Sequence, residues 1–302
     1  MKPKDSSIYL QKLIDLAHKN PASRLRLQGW QKVIQWKIDD DSFYWVIDRG
    51  EIHFSEPKET DFILQGSRET IKKIASQKLP FFLALWAAGE LRFQGSYADA
   101  NRLGYIYLND KRQRQIVFLA HCFLNMNTRF PGGADFPGAN VPLAELLLQS
   151  GVGMVQMPCP EFHCLGLEKT LYGTLPEKEV RACYRKLAEG VVEQMRSYLD
   201  LGYEISAILG MNPSPSCGVD VAKGRGTMLG LNRDSSEKKE PGLFIEEIKN
   251  LAQERGIGPL PFFGIRRTLP GETGLEKRLK ELRNILPKKS KIERPSHRPA
   301  AR

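Results

Sequence analysis

The sequence has no long hydrophobic run. Its longest uninterrupted apolar stretch, Leu79–Ala88, spans ten residues with Pro80 inside it, about half of the roughly 20 that a helix needs to cross a bilayer. No transmembrane segment is expected. The amino-terminal stretch, MKPKDSSIYLQKLIDLAHKN, lacks an apolar leader core and a small-residue cleavage site, so the expected location is the cytoplasm. Cysteine is scarce and odd in number, five among 302 residues. In a reducing compartment that argues against a disulfide framework and for metal binding or redox chemistry.

An acidic surplus is missing as well. The net charge is +10, but residues 1–115 contribute +5, residues 116–270 contribute −1 and residues 271–302 contribute +6. The segment that holds every cysteine is nearly neutral, which weakens a nucleic-acid reading for it. The carboxy-terminal stretch, PKKSKIERPSHRPAAR, carries three prolines and almost nothing apolar, the composition of a disordered basic tail. With 41% hydrophobic residues, the chain is long enough for two cores. The expected division is an α+β domain over 1–112, an α/β domain over 113–286, and the tail over 287–302.

In the first of these, residues 30–56 alternate aromatic or branched residues with polar ones, the period-two pattern of a strand meander. DFILQGS reads as a further strand, 68–77 as a helix, 80–89 as an apolar stretch, LRFQGS as a short strand and 97–108 as a helix. The charged NDKRQRQ at 109–115 marks a linker. After it, strands and helices alternate: IVFLAHC, the helix VPLAELLLQSG, VGMVQMPCP, an amphipathic helix over 176–202, YEISAILGMN, helices over 244–255 and 275–286, and PLPFFGIRRTL between them. That succession predicts a Rossmann-like, mostly parallel sheet.

Three cysteines occupy equivalent places in this pattern. Cys122 ends the first strand, Cys159 ends the second, and Cys217 follows the third. Parallel strands present their carboxyl ends at one edge, so three thiols distant in sequence are expected to meet in one crevice. Three thiolates suit soft metals and iron–sulfur clusters, and leave one position of a four-iron cube open. Cys183 falls on the apolar face of a helix and reads as a small buried hydrophobe, dispensable to any such site. The prolines of PCPE stiffen the loop around Cys159. NPSPSCG, around Cys217, builds a turn whose amides and hydroxyls suit a sulfide or an anion.

Taken together, HCFLNMNTRFPGG at 121–133, PCPEF at 158–162 and NPSPSCG at 212–218 resemble the thiouracil desulfidase family, over roughly residues 115–220. The resemblance implies a 4Fe-4S cluster on Cys122, Cys159 and Cys217, with one iron open to the sulfur of a small thiolated substrate and water supplying the replacing oxygen. It implies Glu161 as general acid or base and Ser214 as the group that orients substrate or passes a proton. His121, Asn125 and Cys164 depart from the family pattern.

Each role has a plainer rival. Glu161 also reads as a surface acid or a helix-start charge, and Ser214 and Ser216 as turn-forming hydroxyls. Arg129 suits an acidic or carbonyl-bearing substrate group, or a pair with Asp135, and Ser216 is expected to bind substrate with it. His121 and Asn125 flank the first thiol and can donate to its sulfur. His163 or Cys164 with the three cysteines can close a zinc site, although the wide separation of Cys122, Cys159 and Cys217 along the chain is unlike the paired spacing of zinc motifs.

Residues 30–108, especially GSRETIKKIASQKLPFFLALWAAGELRFQGSYADANRLGYIYL, resemble a sterol carrier protein-type domain. The resemblance implies an apolar tunnel lined by Phe81, Phe82, Leu85 and Trp86; the same residues also suffice as an ordinary core. Two function classes follow. One is an iron–sulfur desulfidase acting on a thiolated nucleobase, nucleoside or similar compound, with thiolated tRNA also within reach of its basic flanks. The other is a protein that binds a lipid or other hydrophobic ligand, with a structural zinc or redox cysteine domain.

Overall fold

The computed structural model describes residues 5–107, 114–234, 236–266 and 274–286. The tail at 287–302 and most of the charged linker at 109–115 lie outside them. The chain divides into two compact units, Met1–Arg112 with Asp200–Gly202, and Gln113–Leu199 with Tyr203–Arg302. Among the described residues no helix is long and apolar enough to cross a membrane.

The first unit is α+β. It opens with two helices that strand-oriented patterning does not reveal, α1 (Asp5–Lys19) and α2 (Pro21–Leu27). Leu10, Leu13, Ile14 and Ala17 are buried along one stripe of α1, a helical spacing diluted in sequence by the charged residues between them. Asn20 caps α2 by accepting from the Ala22 amide, and Pro21 supplies the favoured first-turn φ. The expected meander follows as β1 (Lys32–Ile38), β2 (Asp41–Asp48) and β3 (Glu51–Ser55). Then come β4 (Phe62–Gly66), α3 (Arg68–Ala75), α4 (Phe81–Trp86), β5 (Leu91–Gln94) and α5 (Tyr97–Ile106). The sheet order is β3-β2-β1-β4-β5, with β1 and β4 parallel and the other neighbours antiparallel. Ile34, Trp36 and Ile38 of β1 and Trp45 and Ile47 of β2 form the buried face.

The second unit is built on β6 (Gln115–Leu119), α6 (Val141–Ser150), β7 (Gly153–Gln156), α7 (Pro160–Cys164), α8 (Glu177–Asp200) and β8 (Glu204–Asn212). A two-residue ladder of β9 (Ala222–Lys223) and β10 (Glu237–Lys238) brackets the short α9 (Arg225–Met228). The unit ends with α10 (Leu243–Glu254), β11 (Phe262–Arg266) and α11 (Gly274–Ile285). The main sheet is parallel throughout, in the order β11-β8-β6-β7. The chain steps from β6 to β7 on one side, then crosses back to β8 on the other. This reversal between β6 and β8 opens a crevice beyond their carboxyl ends, the usual ligand position in such sheets. Val117–Ala120 and Ala207–Leu209 are almost wholly buried, as central strands covered on both faces require.

The loop after β8 is pressed between strand and helix. The amides of Gly242, Leu243 and Phe244 donate to the carbonyls of Gly218, Pro215 and Ser216, so the start of α10 satisfies the loop's acceptors. The approach leaves no room for side chains. A Cβ on Gly242 would overlap the Ser216 carbonyl, and one on Gly210 the carbonyl oxygen of Cys217. Gly242→Ala is therefore expected to displace the loop and lower stability by about 1–3 kcal/mol. A urea midpoint equal to that of the parent chain would contradict this packing.

Candidate three-thiol site

Cys122, Cys159 and Cys217 are free thiols, and all three line one cavity of about 420 Å³ at the carboxyl edge of the parallel sheet. Arg129, Glu161 and Ser214 line the same cavity, together with Phe130, Lys169, Tyr172, Met211 and Lys223. Cys122 sits in the single turn after β6 and Cys159 immediately precedes α7. Cys217 rides on the loop held by Gly210 and Gly242. Asn212 closes that loop: its Oδ1 accepts from the amides of Val219 at 2.8 Å and Asp220 at 3.2 Å, and its Nδ2 donates to Asp220 Oδ2 at 3.0 Å.

Burial is the main influence on all three thiols. It pushes Cys122 up to about 12, with the Arg129 guanidinium opposing and the charge of Cys159 adding to the rise. Cys217 is raised well above the ordinary thiol range by burial, then by the charges of Cys159 and Cys122. Cys159 is raised by burial, and the Phe162 and Glu161 amides and the Thr128 hydroxyl pull the other way. The charge of Cys159 thus reaches both other thiols, and that of Cys122 reaches Cys217. Three soft donors converging on one cavity fit a thiophilic metal cluster, whose binding would displace the thiol protons.

The remaining two cysteines correct the sequence reading. Cys164 and Cys183 form a disulfide, with Cα atoms 5.9 Å apart, that ties α7 to α8. Cys183 is therefore a cross-link and not a lone buried hydrophobe, and an odd total of five concealed a pair. The disulfide also removes Cys164 from any zinc set. His163 is turned aside, its Nδ1 2.7 Å from the Cys159 carbonyl. Among the described residues no three His, Cys, Asp or Glu side chains are grouped to grip a single metal ion.

Glu161 is buried, and both of its oxygens are engaged. Oε2 pairs with the Lys169 ammonium, and Oε1 accepts from Ser216 Oγ at 2.8 Å. Ser216 Oγ is also 2.9 Å from the Tyr184 hydroxyl. Ser216 is 1% exposed, and its hydroxyl is engaged in that network, where it positions Glu161. Ser214 Oγ accepts from the amides of Ser216 at 3.2 Å and Cys217 at 3.1 Å. This is the turn-forming role, and it leaves the hydroxyl proton of Ser214 free to donate. Arg129 donates to the Gly133 carbonyl and to Met211 Sδ, which also receives the Cys122 thiol at 3.7 Å. Asn125 Oδ1 accepts from the Asn127 amide and so caps its own turn. The His121 imidazole is lowered by burial, an effect the Met157 backbone opposes.

Lys169 and Tyr184 escaped the sequence reading. Lys169 follows Glu168 with both residues at positive φ, 61° and 55°, a tight turn after Gly166. Its ammonium lies 4.7 Å from the Phe130 ring centre and 5.4 Å from that of Tyr172, within cation–π range. No periodicity marks such a residue. Tyr184, on the buried face of α8, reads in sequence as simple core.

Comparison with known proteins adds a family. The uncharacterized protein MJ0003 of Methanocaldococcus jannaschii is 31% identical over 121 residues, which cover 38% of this chain and 74% of that protein. The chain belongs to its family. Residues 10–106 match the SCP-2 sterol transfer family, so the amino-terminal region is an SCP2 domain. In it Phe81 and Leu85 lie in the core, whereas Phe82 and Trp86 are half-buried. Sterol carrier protein 2 of Yarrowia lipolytica aligns at 14% identity with 36% of this chain and 97% of its own length, TM-score 0.27. The sec-alkylsulfatase Pisa1 of Pseudomonas sp. aligns at 15% identity with 29% of this chain, TM-score 0.25, and the match spans only 14% of that enzyme.

Alkylating the denatured, unreduced protein is expected to modify three cysteines, and all five after reduction. In the native metal-free protein the Cys122 alkylation rate should rise about tenfold per pH unit from 7 to 11. At pH 7 it should be on the order of a thousandfold below that of an ordinary thiol, since only the thiolate reacts. A plateau near pH 9 in peptide-resolved mass spectrometry would refute the burial argument.

Proposed function

We propose that the SCP2 domain binds a hydrophobic ligand, and that the three-thiol cavity holds a 4Fe-4S cluster and removes sulfur hydrolytically from a small thiolated compound. The first reading is supported by the family match over residues 10–106. The second is supported by one observation above the others, the convergence of three free thiols, Cys217 buried and Cys122 and Cys159 half-buried, on a cavity that also holds a carboxylate and an arginine.

A cluster with one iron free of protein ligands supplies a thiophilic Lewis acid where a carbon–sulfur bond must be polarised. The residues around it supply the rest. Glu161, oriented by Lys169 and Ser216, accepts a proton from the attacking water. Ser214 donates its hydroxyl proton towards the substrate, and Arg129 faces a carbonyl or acidic group. Carbon exchanges its bond to sulfur for one to the water oxygen, and sulfide departs without net oxidation or reduction. Nucleobases and nucleosides bearing a thiocarbonyl are the substrate class, and thiolated tRNA is the larger form of the same chemistry.

The test is anaerobic reconstitution with iron and sulfide, followed by assay of sulfide release from thionucleobases and thionucleosides. The expected protein is brown, and Cys217→Ala loses the colour and the bound iron. Glu161→Gln is expected to retain both while releasing sulfide at least about 100-fold more slowly. A colourless parent protein would end the cluster reading, and full activity in the Glu161 variant would remove Glu161 from the chemistry.

A further inference from the structure

All four tryptophans of the chain lie in the SCP2 domain, and their indole N–H groups are treated differently. Trp30 donates to Asp99 Oδ1 at 2.9 Å. Among the described residues, the indole nitrogens of Trp36, Trp45 and Trp86 and the hydroxyl of Tyr107 are buried without a hydrogen-bond partner. An unsatisfied buried donor costs about 1–3 kcal/mol, and the great majority of buried polar groups avoid that state. Phenylalanine would fill nearly the same volume without the cost. Four such donors in one small domain therefore call for a receiver.

Three of the four belong to one cluster. Trp36 and Trp45, both fully buried, meet edge to face with ring centres 4.8 Å apart. Phe81 packs against Trp36 at 6.2 Å and stacks on Tyr107 at 4.9 Å. Rings from β1, β2, the first residue of α4 and the end of α5 thus form a continuous chain of contacts, Trp45 to Trp36 to Phe81 to Tyr107. Burial also pushes the Tyr107 phenol upward, so it keeps its proton.

The surroundings restrict what the receiver can be. Among the described residues of this domain the buried polar side chains are Ser6, Ser23 and Thr70. Each is already engaged, with Arg68, the Ile106 carbonyl, and Ser67 and Glu90 respectively. No cationic side chain is among these buried groups. A carboxylate placed there would lose its hydration with no counter-charge, a cost that neutral donors do not repay. An uncharged oxygen has no such penalty and accepts up to two hydrogen bonds.

We propose that the ligand of the SCP2 domain is an apolar molecule bearing an uncharged carbonyl oxygen, whose two lone pairs accept from the indole N–H groups of Trp36 and Trp45. This rests on the hydrophobic-ligand reading of the domain and adds the polar group by which the ligand is selected. Trp30, already satisfied, takes no part and serves as an internal control.

The experiment titrates the full chain, carrying ¹⁵N-labelled tryptophan, with three probes of equal chain length: dodecan-2-one, dodecane and dodecanoate. Dodecan-2-one is expected to bind at least about tenfold more tightly than dodecane. The indole N–H proton resonances of Trp36 and Trp45 should move downfield while that of Trp30 stays in place. Trp45→Phe, and Trp36→Phe with it where thermal unfolding shows the double variant folded, should bring ketone affinity down towards that of dodecane and leave dodecane unaffected. Equal affinity for ketone and alkane, tightest binding of dodecanoate, or unmoved Trp36 and Trp45 resonances would overturn the inference alone. Failure of every probe to bind would overturn the ligand-binding reading of the domain as well.

Discussion

The adjacency of β6 and β8 is the constraint on which the candidate site depends. Both strands run parallel and end at the same edge, and β7 lies on the far side of β6. The residues that follow these three strands therefore have one crevice to enter. Cys122, Cys159 and Cys217 are far apart along the chain, yet they line one cavity. Burial then gives the thiols their character. It raises all three above the ordinary thiol range, so any metal bound there would have to displace their protons.

Around the thiols, rigidity comes from unlike sources. The Cys217 loop is held by backbone: amides at the start of α10 donate to its carbonyls, Asn212 closes its ends, and Gly210 and Gly242 allow the approach. The Cys159 segment is held by a covalent link, since Cys164 at the end of α7 is tied to α8 through Cys183. Glu161 lies between these two supports and carries its own buried pairing with Lys169 and Ser216. A carboxylate in so little solvent needs such partners, because an uncompensated buried charge costs several kcal/mol. Ser216 is the joint of the arrangement, sitting beside Cys217 in the chain while bonding Glu161 and Tyr184.

The SCP2 domain presents the opposite problem. Its core is dense with aromatic rings, and its buried polar groups of the ordinary kind are all engaged. The groups left without partners are three indoles and a phenol. The indoles can only donate, and among the described residues no acceptor reaches any of the four. A core of this composition has an apolar interior and an unmet demand for an acceptor, and these two properties together describe a ligand more narrowly than apolarity does.

Local pattern carried much of the fold. The β1–β3 meander, β4, β5 and the succession of strands and helices after Gln115 follow from periods of two and 3.6 residues, and the placement of three cysteines after three parallel strands follows from that succession. Helices α1 and α2 did not show, because charged residues dilute the stripe of Leu10, Leu13, Ile14 and Ala17. Pairings between distant residues were beyond reach of any periodicity. The Cys164–Cys183 bond, the turn that carries Lys169 back over Phe130 to Glu161, and the hydrogen bond from Ser216 to Glu161 each depend on how helices and loops pack in three dimensions. A residue's spacing along the chain reports which face it occupies, whereas its partner is chosen by whatever the fold brings against that face.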